Sequence, residues 1–328
     1  MKSSLQTLHQ KILNWYAKYG RANLPWRNTD DPYPIWLSEV MLQQTQVKTV
    51  LERYYSPFLE KFPTLEALGS APLDEVLKMW EGLGYYTRAK NLHKTAQILV
   101  QGRAQGAAPT LPSEIDKLIA LPGIGKNTAH AIAAFAFRQP VPVMEANVRR
   151  ILCRIHAMKD ADDKTLWKIA YDMVDQQHPF EYNQAMMDIG ATLCTPKAPR
   201  CEVCPFEHIC QGKGAPEHYP RKKRRTIPTR EQYIMLNLYN NKLALTKREG
   251  EFLHGLWGFP ATEVPLCAAK YIGEVTHAYT HFKLKCKVYL YDALEKTGDH
   301  YFTPQEIYGL AISKVDEKIL NLYLDTIE

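Results

Sequence analysis

Long apolar runs are what this sequence lacks most plainly: nothing in its 328 residues approaches the roughly 18 consecutive apolar positions of a membrane span. The first twenty residues, MKSSLQTLHQKILNWYAKYG, have neither the apolar core nor the small-residue cleavage site of a secretory signal, so a soluble, cytoplasmic chain without a membrane partner is expected. Cysteine is scarce, with seven in the whole chain, which excludes a disulfide scaffold. No internal repeat and no low-complexity tract is present, and with 45% hydrophobic and 23% charged residues the composition is that of a globular protein, against wholesale disorder and a collagenous or coiled-coil chain. Charge of one sign is only modestly in excess, 41 Lys and Arg against 35 Asp and Glu, a net +6 that permits a polyanionic partner without requiring one. At about 150 residues per domain the length points to two domains.

What is present falls into two textures. Up to about residue 230 the apolar spacing is helical: Leu5, Leu8, Ile12, Leu13 and Tyr16 recur on one face, and Ile35, Val40, Met41, Val47, Val50 and Leu51 repeat the pattern. Pro63-Thr64, Pro72 and Pro112-Ser113 mark helix starts, and Ser113 with Asp116 three residues on reads as a variant capping box. Beyond residue 230 the spacing becomes alternating. Residues 233–239 and 242–246 read as two strands joined by Asn240-Asn241, and 284–291 as a further strand. Between the textures, residues 212–230 have the Pro, Gly and charge content of a linker, around the basic run Arg221–Arg225. The fold expected is a mainly α N-terminal region followed by a smaller α+β domain.

Four of the cysteines stand together. Cys194, Cys201, Cys204 and Cys210 have the spacing C-x6-C-x2-C-x5-C, whereas Cys153, Cys267 and Cys286 are isolated thiols. Structural zinc usually takes two close pairs of ligands and here there is one C-x-x-C, so a cubane iron–sulfur cluster, one iron per thiolate, fits better. Pro205, Lys197 and Arg200 suggest a compact, positively charged docking loop rather than an electron carrier. Upstream, Leu121-Pro-Gly-Ile-Gly125 separates two helical stretches; Gly123 and Gly125 permit a tight turn, and the amides opening the next helix can receive a phosphate.

The cysteine spacing and the helix-hairpin-helix, followed by a carboxylate eighteen positions beyond Asn127, resemble the endonuclease III superfamily of DNA glycosylases. Leu24-Pro-Trp-Arg27, residues 34–47 (PIWLSEVMLQQTQV), residues 82–93 (GLGYYTRAKNLH) and residues 182–190 (YNQAMMDIG) resemble the A/G-specific adenine glycosylases, the MutY family. The resemblance covers nearly all of residues 5–211. It implies a helical glycosylase domain over 1–211 with a 4Fe–4S loop at 194–210, the basic linker 212–230, and a Nudix-like domain over 231–328. Double-stranded DNA carrying adenine opposite 8-oxoguanine or guanine is the partner implied, for a nucleoid-associated monomer.

The resemblance also implies roles. Lyase members carry a lysine two residues after the second hairpin glycine, and this chain has Asn127 there. Lys126 is one residue early, about 100° around a helix, so it should face phosphate rather than sugar, and a monofunctional enzyme is implied. Adenine leaves poorly unless protonated at N7, and Glu39, among Trp36, Leu37, Val40 and Met41, is the implied acid. The family's second carboxylate is an aspartate in a D-G-N-V context; here the residues are Glu145-Ala-Asn-Val148, a carboxylate one methylene longer, which must retract or stand back. Asn147 and Asn127 are implied polar helpers, and Trp26, Arg27 and Gln184 match base-pocket positions. Gln43, Gln44 and Tyr85 match the positions that fill the hole left by the extruded base.

In the C-terminal part, residues 253–260 (LHGLWGFP) look like a Nudix start, but residues 261–270 carry a single acid and a proline where the magnesium-binding helix of Nudix hydrolases should follow, so pyrophosphatase activity is not expected. Tyr279, Thr280 and His281 stand where the family reads 8-oxoguanine through an F-S-H loop; read without the family, the same stretch is a β-hairpin with an aromatic tip. Competing readings are an endonuclease III-like glycosylase/lyase acting on damaged pyrimidines, which Asn127 disfavours, and a non-catalytic iron–sulfur sensor of DNA. A Nudix hydrolase is the weakest.

Overall fold

The computed structural model describes residues 2–221, 226–250, 252–264, 268–296 and 300–327. Most of the basic run at Arg221–Arg225, and Pro265–Cys267 in the Nudix-like stretch, lie outside them. In chain order the helices are α1 (Lys2–Tyr19), α2 (Pro32–Met41), α3 (Val47–Arg53), α4 (Tyr55–Lys61), α5 (Leu65–Ser70), α6 (Leu73–Met79) and α7 (Thr87–Gln101). They continue with α8 (Ile115–Ile119), α9 (Lys126–Phe135), α10 (Ala146–Ile155), α11 (Asp163–Met173) and α12 (Pro179–Thr192). Strands follow: β1 (Thr229–Tyr239), β2 (Lys242–Lys247), β3 (Trp257–Gly258), β4 (Ala261–Thr262), β5 (Lys270–Ala278), β6 (Lys283–Asp292) and β7 (His300–Phe302), then α13 (Pro304–Gly309) and α14 (Lys314–Ile327). The expected fold class, helical first and α+β afterwards, is what the chain adopts. None of the described helices is long and apolar enough to cross a membrane.

The chain separates into two compact units, residues 1–69 with 94–223 and residues 70–93 with 224–328. In the helical unit Leu8 and Ile12 of α1 pack with Val148, Ile151 and Leu152 of α10 and Ala185, Met186 and Ile189 of α12 around one core. Ile35 of α2 joins Ala131, Ala134 and Phe135 of α9 and Phe180 in a second cluster. The periodic stretch 35–51 is two helices rather than one: α2 stops at Met41 and Gln44 takes a left-handed φ of 58°. The capping box is not formed. Glu114, not Ser113, is the N-cap of α8, and it makes no side-chain cap. Ser113 Oγ donates to the Glu114 carboxylate at 3.4 Å, and Lys117 binds the same carboxylate at 2.6 Å. The helix begins one residue later than the pattern placed it, so Ser113 is outside the cap position.

In the second unit the sheet order is β3-β2-β1-β6-β5, with β4 beside β1 and β7 beside β2. β1 and β6 run parallel from Thr229↔Lys283 to Leu238↔Asp292, and the other pairs are antiparallel. The two asparagines turn the β1–β2 hairpin with φ of 47° and 59°, the left-handed pair a two-residue hairpin demands. Residues 70–93 group with this sheet because the hydroxyl of Tyr86 donates to the Ile312 carbonyl at 3.2 Å and Lys78 Nζ reaches the carbonyls of Tyr308 and Leu310 at 2.7 and 3.1 Å. Arg248 grips the buried Asp316 of α14 through two bonds of 2.7 and 2.9 Å, which pins that helix to the end of β2.

Candidate active site

Helix α2 is apolar on almost every side: Ile35, Trp36, Leu37, Val40 and Met41 are buried, and half-buried Glu39 is its lone carboxyl side chain. Burial pushes the Glu39 carboxyl up to about 7; the negative charge of Glu145 adds to the shift and Arg27 opposes it. A carboxylic acid that holds its proton near neutral pH can donate it. Glu145 occupies the N-cap position of α10, yet its carboxylate makes no capping bond. Oε1 accepts instead from Asn147 Nδ2 at 2.9 Å, so the longer side chain is retracted onto its own helix. Burial raises this carboxyl above its usual range too, opposed by the Asn147 hydrogen bond and by the charges of Arg21 and Arg150.

The segment leading to Glu145 is suspended by two asparagines. Asn127 Oδ1 accepts from the Met144 amide at 2.7 Å, and buried Asn183 Oδ1 from the Val143 amide at 2.8 Å. Asn127 therefore ties the hairpin helix α9 to the approach of Glu145. Behind Asn147 stands Arg150, one turn along α10, whose Nη2 donates to Asn147 Oδ1 and to the Gly190 carbonyl, both at 2.7 Å. Its Nε donates to the Cys194 carbonyl at 2.8 Å.

Trp26 is buried edge-on against Tyr55, ring centroids 5.0 Å apart. Arg27 makes a two-pronged bond with Asp188, at 2.8 and 2.9 Å, and Arg21 holds the same carboxylate through its backbone amide and Nε. Burial works against the Asp188 charge, and the hydrogen bonds and charge of Arg27 overcome it, holding its carboxyl below the ordinary range. Gln184 is buried with Oε1 unpartnered among the described residues. Gln43 Nε2 reaches Thr128 Oγ1 at 3.4 Å, while Gln44 is exposed. At the hairpin only Gly123 needs its glycine for conformation, at φ 76°; Gly125 is extended, and a Cβ there would meet open space. Lys126, the first residue of α9, stacks its ammonium 3.9 Å from the Trp167 ring.

The four clustered cysteines line one cavity with Ile151, Leu193, Phe206 and Arg154. Arg154 Nη1 lies 3.3 Å from Cys194 Sγ and donates to the carbonyls of Cys194 and Thr195 at 3.1 and 2.7 Å. Burial pushes the Cys204 thiol up to about 12, the other three sulfurs adding to the shift and an amide hydrogen bond opposing it, so four thiolates in this cavity call for positive charge among them. No three His, Cys, Asp or Glu side chains among the described residues are grouped so as to hold one metal ion. Cys153 and Cys286 are buried free thiols; Cys267 is outside the described residues.

In the second unit, residues 279–282 form the tip of the β5–β6 hairpin, as the family-free reading had it. Thr280 and His281 are exposed, whereas the Tyr279 ring is folded inward against Phe252, Phe282 and His277, with centroids 5.1, 5.0 and 4.6 Å away. Tyr85, at a left-handed φ of 50°, is hydrogen-bonded to the Thr280 hydroxyl.

Sequence reasoning missed Asp188, Arg21, Asn183 and Arg150. A signal existed for two of them. Asp188 is the lone acid in an apolar run and needed a buried cation, and Arg150 stands three residues after Asn147, on the same helix face.

Residues 37–172 match the model of the HhH-GPD superfamily of base excision DNA repair proteins. An adenine DNA glycosylase of Buchnera aphidicola subsp. Baizongia pistaciae is 40% identical, over 76% of this chain and 71% of its own. The Homo sapiens adenine DNA glycosylase is 31% identical, over 95% of this chain and 73% of its own. Among solved structures, a thermostable thymine-DNA glycosylase superposes with a TM-score of 0.59 at 27% identity, covering 65% of this chain and 98% of that one.

Proposed function

The chain belongs to the adenine DNA glycosylase family, within the HhH-GPD superfamily of base excision DNA repair proteins, and from that premise we propose that it hydrolyses the N-glycosidic bond of adenine mispaired with 8-oxoguanine or guanine in duplex DNA. The observation that carries the reading is Glu39, a carboxyl pushed up to about 7 on a helix otherwise apolar, with a second carboxylate, Glu145, close enough to contribute to that shift.

Glu39 delivers its proton to N7 of the extruded adenine, so the base departs neutral when the C1′–N9 bond breaks. The Glu145 carboxylate stabilises the oxocarbenium-like sugar, and water adds at C1′, giving its proton to the carboxylate that Glu39 has become. Asn147 fixes Glu145, and Asn127 fixes the backbone from which Glu145 projects. The unpartnered Gln184 Oε1 accepts from the adenine amino group. Trp26 walls the pocket, while Arg27, held by Asp188, keeps the Glu39 carboxyl from rising further. With asparagine at 127 there is no amine to form a Schiff base, so the product is an abasic site, not a break.

Gln43, Gln44 and Tyr85 fill the space the adenine leaves, and Lys126 with the Gly123–Gly125 turn meets backbone phosphate. Residues 231–328 act as a Nudix-like reader of the partner base, with Thr280 and His281 supplying hydrogen bonds and Tyr279 a ring behind them. Cys194, Cys201, Cys204 and Cys210 would hold a 4Fe–4S cluster, whose four irons would supply positive charge and cross-link the loop. Arg150 and Arg154 bind that loop from α10, the helix Glu145 precedes.

The test is single-turnover incubation with duplexes carrying adenine opposite 8-oxoguanine, adenine opposite thymine, or thymine glycol opposite adenine. Strand breaks from the first duplex alone, and only after alkali, are expected. Breaks without alkali, or from thymine glycol, would favour the lyase; tight binding without base release would favour a sensor.

A further inference from the structure

The stretch from Val141 to Glu145 delivers the Glu145 carboxylate, yet it belongs to no helix or strand. Pro142 within it and Pro140 before it have no N–H to offer a ladder. Side chains hold the stretch instead, one backbone group after another. Asn183 Nδ2 donates to the Val141 carbonyl at 2.9 Å, Asn183 Oδ1 accepts from the Val143 amide at 2.8 Å, and Asn127 Oδ1 accepts from the Met144 amide at 2.7 Å. The carbonyl between them, that of buried Pro142, is bound by His130 Nδ1 at 3.0 Å.

His130 lies within α9 at 2% exposure, and the chemistry proposed for Glu39 and Glu145 does not use it. A carbonyl oxygen can only accept, so the hydrogen is on Nδ1 and the neutral ring presents Nε2 as an acceptor. The Tyr171 hydroxyl of α11 donates to that nitrogen at 3.3 Å. Burial lowers the His130 pKa; the bond to Pro142 opposes that shift and the charge of Lys126 adds to it, which keeps the ring neutral at neutral pH. The ring also stands edge-on to Trp167, centroids 4.6 Å apart. With each nitrogen committed to a different partner the ring orientation is fixed, and with it the donor aimed at Pro142.

We propose that His130 is a positioning residue for Glu145: its Nδ1–H, acting through the Pro142 carbonyl three residues upstream, fixes the backbone from which the carboxylate projects. At its far end the Glu145 side chain is tied to Asn147 of the following helix, so the approach through Pro142 sets where its near end stands. A displacement of about 1 Å at a reacting group can cost on the order of 100-fold in rate. The inference rests on the proposed role of Glu145 in adenine release.

Asparagine reproduces the Nδ1 donor of a histidine and glutamine reproduces the Nε2 position, so the full-length protein is compared with His130→Asn and His130→Gln. Both variants lose the ring contact with Trp167, and chemical denaturation should show a similar loss of stability in each. Hydrogen exchange at the Val143 and Met144 amides should stay as in wild type in His130→Asn and accelerate at least about tenfold in His130→Gln. Single-turnover adenine release at saturating duplex should be kept within about threefold by His130→Asn and slowed at least about tenfold by His130→Gln, with duplex affinity unchanged in both. The inference is overturned if the two variants agree with each other in either readout while wild type releases adenine. If wild type releases none, it is the proposed function that fails, and the exchange comparison alone upholds or overturns the anchor.

Discussion

A Cβ placed on Gly190 would stand 2.5 Å from the Cβ of Asn147, closer than two such carbons approach. Helices α10 and α12 can therefore meet only where one of them has no side chain. The contact matters because Asn147 holds Glu145, and because the Gly190 backbone carbonyl and Asn147 Oδ1 share one Arg150 nitrogen. Gly190→Ala is expected to displace Asn147, cost about 1–3 kcal/mol of stability, and slow adenine release by on the order of 100-fold. Melting temperature and single-turnover rate, measured on one preparation, check both figures.

The two carboxylates predict a bell-shaped pH profile. Glu39 must be protonated to donate and its carboxyl stands at about 7, so release slows as pH rises through that value. Glu145 must be ionised, and its pKa is raised above 4.5, so the acid limb falls at a higher pH than an ordinary glutamate would give. Asn147→Ala removes the hydrogen bond that opposes this rise, and should move the acid limb further upward while leaving the alkaline limb in place.

Asp188 predicts a stability effect. Its carboxylate is fully buried, the Arg27 side chain is 3% exposed, and no other carboxylate among the described residues is bonded to that guanidinium. Asp188→Asn leaves a buried cation without its partner and should cost about 3–5 kcal/mol, read by chemical denaturation.

Much of this architecture was legible in the sequence because the relevant signals are local. Asn240-Asn241 specifies a left-handed two-residue turn whatever surrounds it, and the switch from helical to alternating spacing near residue 230 needs no tertiary information. Gly123 was legible for the same reason. What escaped was decided across the chain. Arg27 reads as a pocket residue until Asp188, 161 positions away, is seen to hold it. Tyr279 reads as a tip residue until Phe252 and Phe282 draw its ring inward. The capping box failed because the helix begins one residue later than the pattern placed it, which leaves Ser113 outside the cap position.

Cys204→Ser tests the cysteine loop. Cys204 lines the shared cavity with the other three cysteines, and its loss should leave the purified protein with well under four irons per chain by metal and sulfide analysis. Full iron content in the variant would remove Cys204 from the ligand set.

The most direct measurement is the single-turnover release of free adenine from a duplex carrying adenine opposite 8-oxoguanine, comparing wild type with Glu39→Gln at matched duplex affinity. Adenine released by wild type, and at least about 100-fold more slowly by the variant, is the result predicted for a proton donor. Equal rates in the two proteins would contradict the assignment of the proton to Glu39 and with it the mechanism built on that carboxyl.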